Sequence, residues 1–416
     1  MRKLFFVFAI AFGALLLVVV LNPQRVRRAV FMATLFQGVD MTDEFADMRS
    51  LFPIRAVRTA SPTALPVAAQ PVALPEHYLH EGETRPLRRF LEETDTSGLL
   101  VLRDGEIVHE EYALGSSRET RWISWSVAKS FVSAMVGVAF HDGLIESLHD
   151  PISKYVPALA GSSYDGVEIE DILEMSSGAS WDEDYGDPLS DITRFGTAIV
   201  FGRSQDDFAA SLEREHEPGS YNRYNSTDTQ VLAMLLVQVT GMTLAEYTER
   251  TLWQPMQMQH DAYWITDEPG MELAFGGLNV TLRDYARFGE LYRNGGRWNG
   301  RQVVPEAWVA ASTVPGEPHL QPGAKAGSDT IFGYGYQWWL PPSGSDGEYS
   351  AIGVYNQFVY VNPARGVVIA KTSANQAYGR DESTDREIET FAVFNAIARA
   401  VESSAAVPRN RVARER

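Results

Sequence analysis

The stretch Ile123-Ser124-Trp125-Ser126-Val127-Ala128-Lys129-Ser130-Phe131 opens an apolar, helix-patterned run that reaches Phe140. Residues three apart share one helix face, so this spacing sets the Lys129 amine beside the Ser126 hydroxyl. A serine at a helix N-terminus also meets unpaired backbone N–H groups and the positive end of the helix dipole, both suited to a developing oxyanion. Of the five lysines in the chain, Lys129 alone has a serine three residues before it. Taken by itself the pair also fits an ordinary helix start, with Ser126 as N-cap and Lys129 in solvent.

The flanking sequence narrows the choice. Residues 98–112 read as two strands around the turn Asp104-Gly105. About a hundred residues past Ser126, Pro218-Gly219-Ser220-Tyr221-Asn222-Arg223-Tyr224-Asn225-Ser226 leads into a second apolar helix over 226–239, with Ser226 as its N-cap, and 244–252 reads as a further helix. Residues 349–361 and 367–371, joined by Asn362-Pro363-Ala364-Arg365-Gly366, read as a β-hairpin, and 385–401 as a closing helix. Strands at both ends with helices between predict an α+β fold: an antiparallel sheet built from the two ends of the chain and flanked by helices, beside an all-α lobe.

The run Ser-Trp-Ser-Val-Ala-Lys-Ser-Phe with the downstream Pro-Gly…Tyr-Asn-Ser resembles the serine β-lactamase and penicillin-binding-protein superfamily. The nearest branch is that of class C-type β-lactamase-related hydrolases, which holds 6-aminohexanoate-dimer hydrolase and carboxylesterases. The resemblance covers roughly residues 85–400 and implies an active site in the seam between sheet and helical lobe. The family's Tyr-x-Asn motif falls on Tyr224-Asn225-Ser226, with serine in the third place, so amide recognition by that asparagine does not carry over. Tyr224 is the implied second catalytic residue and Tyr221 the competing assignment. The family's Lys-Thr-Gly falls on Ala351-Ile352-Gly353, which makes Val354 N–H the partner of Ser126 N–H in an oxyanion hole. Lys371-Thr372-Ser373 mimics that motif without its glycine. Trp181, Tyr185, Asn225 and Gly353 are the implied substrate contacts, the first two on a loop resembling the pocket wall of the amide-hydrolase branch.

Composition bounds the rest. The chain has 416 residues, 45% of them hydrophobic, enough for one large catalytic unit. A formal charge of -18 argues against a nucleic-acid partner. The absence of cysteine excludes disulfides and thiolate metal sites, and the eight histidines show no metal-ligand spacing. No metal or organic cofactor is expected. Residues 4–21 form an uncharged apolar run behind Arg2 and Lys3, long enough to span a bilayer as one N-terminal hydrophobic helix. The expected layout is a membrane anchor or signal segment at 1–22, an extended stem at 23–84, the hydrolase domain at 85–403 outside the cytoplasm, and a basic tail at 404–416. Cleavage of the first segment would give a secreted protein instead.

The expected chemistry is acyl transfer through a Ser126 ester on small ester or amide substrates, with Lys129 and Tyr224 sharing proton transfer and either able to be the formal base. Ala351 removes the cation that would grip a β-lactam or peptide carboxylate, so short acyl esters and non-β-lactam amides are favoured over β-lactamase or peptidase substrates. A non-catalytic, membrane-tethered binding protein of the same fold is the alternative from a different class. Sequence leaves oligomeric state open.

Overall fold

The computed structural model describes residues 22–342, 344, 346–380 and 385–405. Seven strands form the main sheet: β1 Thr96–Arg103, β2 Glu106–Tyr112, β3 Gly333–Tyr334, β4 Trp339–Leu340, β5 Tyr349–Gly353, β6 Gln357–Asn362 and β7 Val367–Ser373. Their spatial order is β3-β4-β5-β6-β7-β1-β2, antiparallel throughout, so β1 and β7 close the sheet from opposite ends of the chain. The β1–β2 turn sits at Asp104 and Gly105, both at positive φ (48° and 83°), as a two-residue hairpin requires.

Six helices matter for the site: α1 Pro23–Thr34, α2 Val127–His141, α3 Asp191–Val200, α4 Ser226–Thr240, α5 Leu282–Arg293 and α6 Glu387–Ala405. Strand alternation sends Leu100, Leu102, Val359, Val361, Val368 and Ala370 into one core shared with α2, α4 and α5. The intervening residues Leu99, Val101, Phe358, Tyr360 and Ile369 pack on the other face against Phe391, Phe394 and Ile397 of α6. Helices α2 and α4 are buried on nearly all sides and pack on each other, which makes them the rigid centre of the helical lobe.

Three expectations need correction. Residues 349–361 are two strands, because Tyr355 and Asn356 adopt positive φ (62° and 64°) and turn the chain back on itself after Gly353. The N-cap of α4 is Asn225, whose side-chain oxygen accepts from Thr227 N at 2.8 Å; Ser226 is the first helical residue. Residues 23–84 are no free stem. Helix α1 packs on α3, the strand Ile54–Val57 pairs with Ala262–Ile265 in a second four-stranded sheet, and Ala68 and Val72 donate backbone hydrogen bonds to Ile107 and Val108 of β2. Phe31, Leu35, Phe45, Met48, Leu51 and Phe52 are buried there, so apolar area removed from water holds the segment down. Residues 4–21 and the tail beyond 405 lie outside the described residues. Among those described, no single helix is long and apolar enough to cross a membrane.

Candidate active site

Ser126 stands at the N-cap of α2, yet its hydroxyl makes no capping bond. It is held by Lys129, whose Nζ lies 2.8 Å from Ser126 Oγ, 3.1 Å from Ser226 Oγ and 3.0 Å from the Phe275 carbonyl oxygen. Lys129 is 1% exposed, so the solvated-lysine reading fails. Burial pushes its pKa down to about 8, against the opposing pull of Glu183 and Asp228. Nζ donates in all three contacts, as the ammonium form can; loss of one proton would leave two N–H groups for Ser226 and Phe275 and a lone pair facing the Ser126 hydroxyl.

Tyr224 lies across the same amine, with Lys129 Nζ 4.7 Å from its ring centroid and its hydroxyl interacting with Ser126. Trp339 and Tyr334 pack on the ring at 5.1 and 6.4 Å. Burial raises the phenol well above its usual value, so it stays protonated at neutral pH. Tyr221 is elsewhere, donating to Asp329 at 2.5 Å and stacked on His216.

The backbone around the serine is tightly specified. Trp125, immediately before it, has φ +45°, a conformation that costs on the order of 1–3 kcal/mol for a non-glycine residue. Gly353, at the end of β5, lies against this turn. A Cβ there would sit 2.7 Å from Ser124 O and 3.0 Å from Ser126 N, so only glycine allows the strand so close. The N–H groups of Ser126 and Val354 have no hydrogen-bond partner among the described residues, and both residues border one cavity.

That cavity holds about 560 Å³. Tyr185 lines it, whereas Gly353, Trp181 and Asn225 do not. The Trp181 indole donates to Glu183, and the Asn225 amide is buried beside Thr227 and Tyr164. For these two the substrate-contact expectation is corrected: local hydrogen bonds already engage their polar groups.

Sequence reading did not single out Glu183. Its carboxylate accepts from Ser226 N and Oγ, Trp181 Nε1 and Tyr185 OH at 2.6–3.1 Å. It thereby fixes Ser226 against Lys129 and ties the Tyr185 loop to α4. The only signal was an acid flanked by two aromatic donors. Lys371, the decoy, is on β7, two strands from Ala351, where it donates to Ser373 Oγ at 2.8 Å and to Asn356 O at 3.3 Å. No group of acids and histidines able to hold a metal ion occurs among the described residues.

The β-lactamase family model matches residues 87–393. The chain is 32% identical to the 6-aminohexanoate-dimer hydrolase of Paenarthrobacter ureafaciens over 343 residues, 79% of this chain and 84% of the relative. A solved Bacillus anthracis structure named for the same hydrolase superposes with a TM-score of 0.75 at 24% identity, covering 87% of this chain and 95% of that one. The solved hydrolase EstCE1, described as having promiscuous acyltransferase activity, gives 0.59 at 16% identity, covering 76% and 96%. Family match and identity together place the chain in the β-lactamase family, as a serine hydrolase.

Proposed function

We propose that the protein hydrolyses esters and non-β-lactam amides through a Ser126 acyl-enzyme, with Lys129 as base and Tyr224 as acid. The three-point hold on Lys129 Nζ carries the reading, because it keeps the amine 2.8 Å from Ser126 Oγ, where the deprotonated form would turn its lone pair to the hydroxyl. Ser126 Oγ attacks the carbonyl carbon as its proton passes to Lys129. The oxyanion is met by the N–H groups of Ser126 and Val354, each worth about 3–4 kcal/mol in such sites. The bond to the leaving group breaks as the Tyr224 hydroxyl protonates the departing oxygen or nitrogen, and the phenol is reprotonated from the Lys129 ammonium. Water then attacks the acyl ester, gives a proton to Lys129, and frees the acid while Ser126 regains its hydrogen. A base with its pKa near the working pH suits this chemistry.

Exclusion of β-lactams rests on charge. Ala351 is buried and uncharged, Lys371 is engaged elsewhere, and among the described residues no Asp, Glu, Lys, Arg or His lines the cavity. A carboxylate-bearing substrate finds no side-chain cation there. One relative is named for hydrolysis of 6-aminohexanoate dimer, which keeps amides beside esters in the proposed class. The apolar run at 4–21 supports an N-terminal membrane anchor with the enzyme on the extracytoplasmic side. The test is Ser126→Ala: hydrolysis of p-nitrophenyl acetate and labelling by a fluorophosphonate should both vanish, with the thermal midpoint little changed. Retained turnover in the folded variant would refute the serine mechanism.

A further inference from the structure

The cavity at Ser126 has a property that the catalytic groups do not explain. Among the described residues that line it none carries a charge, and nine come from residues 29–52, which precede the family match. Helix α1 forms one wall and α3 the facing one. They meet closely because Gly196 lacks a side chain: a Cβ there would lie 2.3 Å from Met32 Cε. Phe36 is a further lining residue, stacked between Tyr185 at 4.5 Å and Tyr355 at 4.9 Å. Met32 and Met48, flexible and polarisable, give the walls freedom to fit occupants of different length. At the rim Phe201 is 68% exposed, and Leu189, beside the lining Pro188, is 79% exposed. Water gains little in such a space, and a ligand lined up with Ser126 and Val354 would lie along hydrocarbon.

We propose that this cavity is an acyl-chain site, and that the substrates are esters of unbranched fatty acids of about eight carbons or more, seated between α1 and α3 with the carbonyl at Ser126. This deepens the serine-hydrolase reading and rests on it. It also reverses the expectation of short acyl groups, which was drawn from the missing cation alone. Once the alcohol has left, the acyl-enzyme chain stays in the cavity until water releases the fatty acid.

The experiment is a chain-length series. On the full chain, kcat/KM for p-nitrophenyl acetate, butyrate and octanoate, each below its aggregation concentration, should rise two- to fourfold per added methylene; about fourfold corresponds to about 0.8 kcal/mol per buried CH2. Thr197→Trp and Ala33→Trp place bulk at exposed lining positions and so avoid the core. Each should lower the octanoate-to-acetate ratio at least tenfold. A flat or falling series, or a ratio untouched by both variants, overturns the acyl-chain site. Ethyl and dodecyl fluorophosphonates separate the two readings. Equal labelling of Ser126 by both sinks the chain site alone, whereas no labelling by either sinks the serine hydrolase with it.

Discussion

Two lysines in this molecule are each 1% exposed, and each touches a serine hydroxyl and a backbone carbonyl. Lys129 sits where α2 and α4 meet, beside a cavity, with Glu183 and Asp228 near enough to oppose the effect of burial. Lys371 sits within the sheet, where burial and then the Arg386 guanidinium drive its pKa well below the usual lysine value, with Asp95 opposing. Its serine, Ser373, donates its own proton to the Thr94 carbonyl, and neither residue borders the catalytic cavity. On the proposed mechanism, burial and a serine neighbour are not enough to make a catalytic pair. Access to a substrate, free N–H donors and a second proton carrier are required as well.

The comparison breaks most sharply by replacing each lysine with methionine, which keeps the length and removes the amine. Lys129→Met should lower kcat for a p-nitrophenyl ester by about a thousandfold or more, within the range expected for losing a positioned base. Lys371→Met should stay within threefold of the native enzyme, measured by the same assay. Comparable losses in both would mean that burial alone, and not the site, governs activity.

A smaller effect is expected from Tyr224→Phe, which keeps the ring beneath the Lys129 amine and deletes only the hydroxyl. Loss of the acid should reduce kcat about a hundredfold while KM moves less, and the defect should shrink for good leaving groups such as p-nitrophenol, which need no proton. Steady-state kinetics with an alkyl ester beside the p-nitrophenyl ester checks this. Equal defects on both esters would remove Tyr224 from the acid role.

The smallest effect is a shift in pH profile. Because Lys129 acts when neutral and burial sets its pKa at about 8, kcat/KM should rise as pH climbs through about 8 and level off above it. Glu183 favours the charged amine, so Glu183→Gln should move the rise to lower pH. Movement to higher pH, or none, would show that Glu183 acts on Ser226 and the Tyr185 loop alone.

Local chemistry made much of this fold readable. Asp104-Gly105 announced its hairpin, and the uninterrupted apolar faces of α2 and α4 announced the helical lobe. The break between β5 and β6 was hidden, since Val354 and Tyr355 continue an apolar run and only Asn356 tolerates the turn's positive φ readily. The segment at 23–84 was misread because its Ala/Pro-rich stretch at 59–75 suggested an extended spacer. Its signal was present: Met41, Phe45, Met48 and Phe52 recur at helical spacing and are all buried. Ser126 and Lys129 came from their spacing on one helix face, and Tyr224 from the family resemblance. The hold of Ser226 and the Phe275 carbonyl on Lys129, with Glu183 behind Ser226, depends on the start of α4 meeting two distant loops, and no local pattern carries that.

Closure of the sheet by β7 on β1 also governs when the enzyme can come into being. Leu99 pairs with Lys371, and the Val354 N–H follows Ser126 by more than two hundred residues of synthesis. Pairings so distant in sequence form late and slowly, because the intervening chain must first be brought together. While a nascent chain waits, β1 and β2 stand as an unpaired hairpin with an open apolar edge, the kind of surface that chaperones cover and aggregates recruit. Hydrolytic competence therefore arrives all at once, only after β7 has been made, and a fragment that carries the serine–lysine pair but stops short of β7 should hydrolyse nothing.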